Sequence, residues 1–136
     1  MLTRNGGMAG YESADAKWVY FSKDLGRPTS LWKMPVGGGE AEKVLDGLTY
    51  TCNFAVVEKG IYLLSLEGSV QFLSLTRNSR VLLEFFDFAT GRRTRLHSLD
   101  KPFWFGVALS PDERWFLYSQ IDQEGSDLML VEERSP

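Results

Sequence analysis

Short apolar runs alternate with polar turns along this chain, and one such unit recurs. Ser13-Ala-Asp15-Ala-Lys17-Trp18-Val-Tyr20-Phe-Ser22 reads nearly the same as Ser110-Pro-Asp112-Glu-Arg114-Trp115-Phe-Leu-Tyr118-Ser119. A degenerate copy, Val57-Glu-Lys-Gly60-Ile61-Tyr62-Leu-Leu-Ser65, lies between them. The runs are too short for helices and rich in aromatic and β-branched residues, so they predict strands. Self-similarity at roughly 40–50 residues with strand-like units predicts a repeat architecture of propeller type.

The first repeat predicts strands at Met8–Ser13, Lys17–Ser22, Thr29–Val36 and Glu40–Leu45. Asp15-Ala-Lys17 forms the first turn, and Gly37-Gly38-Gly39 the last. The second predicts Thr51–Val57, Gly60–Ser65, Val81–Ala89 and Arg93–Leu99, with Thr90-Gly91 closing the final hairpin. Leu66–Arg80 is a longer connection, apolar enough at Val70–Leu75 for an extra strand pair or an edge cover. The third predicts Trp104–Ser110, Arg114–Gln120 and Asp127–Glu132, without a fourth strand. Leu2-Thr3 at the other end is a strand without a blade, so Met1–Arg4 reads as a closing strand. The expected fold is all-β: three four-stranded antiparallel blades at about 8–45, 51–99 and 104–132, together half a propeller in one domain.

Composition narrows the function classes. Nine Phe, five Tyr and four Trp among 136 residues, with 43% hydrophobic and 24% charged residues, fit a globular core. A net charge of −3 argues against non-specific nucleic-acid binding. No run approaches a membrane span, and Met1–Gly7 has no apolar signal core, so no membrane partner is expected; the compartment, cytoplasmic or periplasmic, stays open. Cys52 is the only cysteine, which leaves no intramolecular disulfide and no zinc site around it.

The repeat Ser-Pro-Asp-x-Arg-Trp-x-x-Tyr-Ser at 110–119, its variant at 13–22, and Leu2-Thr3-Arg4-Asn5-Gly6-Gly7 resemble the TolB-like or WD40-like (PD40) propeller repeat. Residues 119–131 look like the last blade of propellers attached to bacterial winged-helix regulators. Ala14 stands where that pattern has proline, Ala16 and Glu113 where it has the turn glycine, and the second copy has lost Ser-Pro-Asp. The resemblance implies a propeller fold and carries no catalytic motif.

Candidate chemistry is sparse. Asp15 and Asp112 read as turn residues accepting backbone hydrogen bonds. His97, after Arg92, Arg93 and Arg95, reads as a surface histidine on an outer strand, and Cys52 as a small core residue. Gly37–Gly39 has neither a following helix nor Gly-Lys-Ser/Thr, so it is no phosphate loop. Trp18, Tyr20, Ile61, Leu63, Trp115 and Leu117 are expected to be buried between blades. Glu12, Asn53 and Trp104 fall on innermost strands near the channel of a propeller. Arg27, Arg80 and Asp122 fall on the face that carries the blade-to-blade connections, with Lys23, Asp24, Arg77, Asn78, Gln123 and Glu124. These six, Glu12, Asn53, Trp104, Arg27, Arg80 and Asp122, are the ligand-site candidates, and any ligand or partner is expected on that face.

The function expected is a non-catalytic binding module for a protein or small ligand, or a scaffold, with no cofactor and no metal. A lactonase-like hydrolase holding calcium through Glu12 and Asn53 is the alternative reading, because some six-bladed propellers hold calcium at such positions. A fragment of a longer propeller is the third. Three blades leave apolar end faces open. Two copies would make six blades, with Leu2-Thr3 of one chain beside Leu128–Val131 of the other, so the expected partner is a second copy.

Overall fold

The computed structural model describes residues 7–25, 28–67, 80–101 and 103–120, with the backbone alone at residues 104 and 105. Among these there is no helix, and so none long and apolar enough to cross a membrane. Ten strands follow one another: β1 (Met8–Glu12), β2 (Trp18–Ser22), β3 (Thr29–Pro35), β4 (Glu42–Leu48), β5 (Phe54–Val56), β6 (Gly60–Leu66), β7 (Val81–Asp87), β8 (Arg93–Leu99), β9 (Phe103–Leu109) and β10 (Phe116–Gln120). Every pairing is antiparallel.

β1 to β4 form one four-stranded meander and β5 to β8 a second. A single bridge, Leu48 to Ser65, merges them into one curled sheet. β9 and β10 form a separate hairpin. The expected strands at Met1–Arg4, Val70–Leu75 and Asp127–Glu132 lie outside the described residues.

Strand alternation builds two cores. Tyr20, Leu31 and Leu45 of the first meander meet Phe54, Ile61 and Leu63 of the second, with Trp18, Val56 and Phe86 at the margin. Leu64, Val81 and Leu99 meet Phe103 of the hairpin, with Phe116 and Tyr118 packed alongside. The second meander is therefore covered on both faces, which explains the near-continuous apolar run of β6. Each fully buried Leu, Ile or Phe here contributes roughly 1.5–3 kcal/mol by leaving water.

The two clear repeat copies fold into the same turn, atom for atom. Ser13 Oγ donates to Asp15 Oδ1 at 2.6 Å, and Ser110 Oγ to Asp112 Oδ1 at 2.6 Å. Asp15 Oδ1 accepts from the Lys17 amide at 3.2 Å, and Asp112 Oδ1 from the Arg114 amide at 3.2 Å. The amides of Trp18 and Trp115 donate to the serine hydroxyls at 3.0 and 2.9 Å. Ala16 and Glu113, standing where the resembled repeat has glycine, have φ of 56° and 57°, in the left-handed region.

The middle copy obeys the same plan with a shorter turn. Its hairpin closes from the Val57 amide to the Gly60 carbonyl, whereas the first closes from Ser13 to Trp18 and the third from Ser110 to Trp115. Matched through these closures, Gly60 corresponds to Trp18, and Tyr62 to Tyr20. Sequence likeness suggests Ile61 and Leu63 as the counterparts, one residue out of step. A one-residue slip exchanges the two faces of a strand. Ile61 and Leu63 are indeed buried, but they look back at the first meander, whereas Tyr62 looks forward and meets Phe116 of the hairpin. Gly60 is needed because a Cβ there would collide with the Phe86 carbonyl oxygen and lie 2.5 Å from Phe85 Cζ.

Two expected core residues are not core, and a third, Trp18, is only half-buried. Trp115 is 73% exposed and Leu117 71%, whereas Tyr20, Ile61 and Leu63 are 4% or less. Trp115 and Leu117 occupy the places that Trp18 and Tyr20 hold in the first copy. The difference is the neighbour: the second meander covers Trp18 and Tyr20, and among the described residues no meander follows β10. Smaller corrections concern bounds. The strand expected at Thr51–Val57 shortens to β5, because residues 49–53 fold into a turn in which the Asn53 amide donates to Tyr50 O at 3.2 Å. β4 begins and ends later than Glu40–Leu45.

A candidate binding cleft between the meanders

The groove where the first meander meets the second opens as a cleft of about 610 Å³. Its floor is aromatic. Trp18 and Tyr20 project from β2 by the strand's period of two, and Phe86 and Phe88 come from the end of β7 and the turn after it. The Tyr20 and Phe88 rings stack at 5.8 Å and 18°, and Phe86 meets Phe88 edge-on at 6.2 Å. One wall is charged. β3 places Lys33 beside Tyr20, and β4 places Glu42 beside Lys33. Lys33 Nζ lies 2.7 Å from Glu42 Oε1 and 4.5 Å from the Trp18 ring centre. An ammonium thus already sits between an indole face and a carboxylate, an arrangement that favours cations.

Asp15 and Glu58 stand at the mouth. The Ser13 hydroxyl and then the Lys17 amide hold the Asp15 carboxyl below its ordinary value. Burial, then the negative charges of Asp15 and Glu42, push the Tyr20 phenol up. Asp15 therefore stays ionised at neutral pH and is a weak base there, while Tyr20 stays protonated. The cleft offers ring faces, paired charges and hydrogen-bonding groups.

A second polar cluster lies on the outer strands. Arg93 Nη2 pairs with Glu84 at 2.7 Å, and its Nη1 donates to Asp46 O at 2.9 Å, tying β8 to β4. Arg95 pairs with Glu67 at 2.9 Å. Two arginines of the expected basic patch are thus engaged with carboxylates. His97 is exposed on β8, as expected, and Cys52 is half-buried in the turn before β5 rather than in a strand.

The six sequence candidates do not form this cleft. Glu12 is exposed on β1 and Arg80 is exposed beside Glu67, at 4.0 Å. Asn53 is fully buried: its Nδ2 donates to Thr49 Oγ1 at 2.8 Å, and its Oδ1 accepts from the Gly106 amide at 2.9 Å. That oxygen, the one a calcium ion would use, binds the hairpin to the second meander. Trp104 lies in β9, its side chain outside the described atoms. Arg27 and Asp122 lie outside the described residues, as do Arg77, Asn78, Gln123 and Glu124. β5 lies beside both β1 and β9. Among the described residues no three His, Cys, Asp or Glu side chains gather as a metal-holding group.

The cleft lies beside the Ser13–Asp15 and Val57–Glu58 turns, the end of the molecule opposite to the one expected to bind. Sequence reasoning placed Trp18 and Tyr20 but treated them as core. Lys33, Glu42, Glu58, Phe86 and Phe88 were missed. The signal available was the Gly37–Gly39 hairpin, which sets Lys33 across from Glu42. No protein-family model, curated protein or solved structure matches this chain.

Proposed function

We propose that this chain is a non-catalytic repeat module of the TolB-like propeller kind. Its two meanders and its hairpin are successive blades, and it binds a protein segment or small amphipathic ligand between the first two. The single observation that carries this reading is the cleft, with an aromatic floor, a rim of ionised groups and an acid held away from neutrality. The side-by-side β1, β5 and β9 and the duplicated Ser-x-Asp turns support the propeller reading. An open array of three such blades would be completed by self-association with a second copy.

Nuclear magnetic resonance with a panel of aromatic amine fragments tests the site. Fragments that bind should shift the Trp18 indole signal, and Phe88→Ala, at a partly exposed floor position, should abolish those shifts without loss of fold. Shifts confined to Asp24, Arg80 and their neighbours would return the site to the opposite end and overturn the cleft.

A further inference from the structure

Lys33 shows which charge the cleft prefers. Its ammonium lies 2.7 Å from Glu42 Oε1 and 4.5 Å from the Trp18 ring centre, at the end of an aliphatic stem. β3 delivers it between Tyr20 on β2 and Glu42 on β4, so strand register fixes the place. An indole face and a carboxylate both attract a cation and both repel an anion. The hold on Lys33 is weak, because the Glu42 side chain is 60% exposed and water screens such a pair. With Lys33 in place, about 610 Å³ of the cleft still stands open.

We infer that the cleft binds a lysine side chain of a partner protein's extended segment, whose ammonium displaces Lys33 from between Trp18 and Glu42. This rests on the cleft proposed above as the binding site and names the group it recognises. Charge complementarity carries it. Once Lys33 leaves, Glu42 loses its cation, and among the described residues Glu58 at the mouth has no ion-pair partner. The other ammoniums nearby are committed: Lys43 lies 3.0 Å from Asp46, and Lys17 3.5 Å from Asp15. The Phe88 amide donates to Lys59 O at 3.0 Å, which brings the Glu58 turn to the Phe88 ring at the same mouth. An incoming lysine stem would lie on the apolar floor of Val44, Phe86 and Phe88 while its head reaches the carboxylates. The open volume leaves room for the backbone on either side of that lysine, which a small free amine would not use.

Titration of the full chain, read by nuclear magnetic resonance at the Trp18 indole, tests this with acetyl-Gly-Lys-Gly-amide and its Nε-acetylated form. The charged peptide should bind about fivefold or more tightly than the acetylated one. Lys33→Ala, and Lys33→Gln with the stem length kept, should tighten the charged peptide about two- to fivefold, the worth of one cation–π contact freed from competition. Adding Glu42→Gln to Lys33→Ala should cancel that gain. Lys43→Ala, which removes a charge already held by Asp46, should give less. Dispersed amide spectra check each fold. Weaker binding in both Lys33 variants would make Lys33 a reader of anions and overturn the inference. An equal gain from Lys43→Ala would reduce the effect to net charge and overturn the displacement. Cadaverine that binds where the lysine peptide does not would assign a free amine and overturn the partner segment. Equal binding of the two peptides, or no shift from either while aromatic amine fragments still shift Trp18, would overturn the lysine and leave the cleft standing. No shift from those fragments either would overturn both readings.

Discussion

Ala16 and Glu113 sit in the left-handed region at the same turn position, where a Cβ is unfavourable by about 1–2 kcal/mol. Glycine there relieves that cost but loosens the unfolded chain, so the net gain is smaller. Ala16→Gly and Glu113→Gly should each stabilise the chain by about 0.5–1 kcal/mol in urea unfolding. The paired aspartates give the same turns a pH signature. Hydrogen bonds from Ser13 and Ser110, then from the Lys17 and Arg114 amides, lower the Asp15 and Asp112 pKa from the ordinary 3.8. Their folded pKa lies below the unfolded one, so their contribution is present above about pH 4 and is lost as pH falls through the folded value. Unfolding midpoints should therefore drop between pH 5 and pH 3. Asp15→Asn with Asp112→Asn, which keeps the acceptor oxygen, should flatten that drop. The residues of this turn were legible in the sequence because local hydrogen bonding alone fixes them.

At the scale of elements, two residues hold neighbouring pieces together. Asn53 joins the hairpin to the second meander through the Gly106 amide. Asn53→Ala would strand that amide and the Thr49 hydroxyl in a buried site. The expected loss is about 1–3 kcal/mol, with faster hydrogen exchange in β9 and β10 than in β2 and β3. Gly60→Ala would drive a methyl into Phe86 O and the Phe85 ring, for a loss of about 1–3 kcal/mol. Thermal unfolding checks both. Strand positions were readable because period-two alternation and the glycine turns at Gly37–Gly39 and Thr90-Gly91 bracket them. The facing of β6 was not. Its turn is two residues shorter than its counterparts, and likeness between Lys17-Trp18 and Gly60-Ile61 pulls the comparison one residue off. The cleft was illegible for a related reason: Phe86 and Phe88 are distant in sequence from Trp18, and only the packing of one meander on the next makes them a floor.

At the scale of the whole molecule, burial separates residues that look alike in the sequence. Phe54→Ala, at a position wholly shielded between the meanders, should cost about 3–5 kcal/mol. Trp115→Ala should leave the unfolding free energy of the isolated chain almost unchanged, whereas burial between blades had predicted a loss as large as that of Phe54. A Trp115→Ala loss approaching that of Phe54 would show that something covers the β10 face within one chain.

The outer strand β8 has a consequence of a different kind. Its residues 93–97 are all exposed and include two arginines and a histidine, and among the described residues it stands at one end of the row of hydrogen-bonded strands. An uncommitted row of amides and carbonyls is a template on which further chains can crystallise into fibres. Here Arg93 and Arg95 set long charged side chains along that row, which hinders such pairing. β8 thus carries its own guard against edge-to-edge pairing. Arg95→Thr with His97→Val would erase it while keeping strand propensity. Such a chain should stay folded when fresh and yield thioflavin-positive fibrils on agitation at concentrations where the parent remains clear.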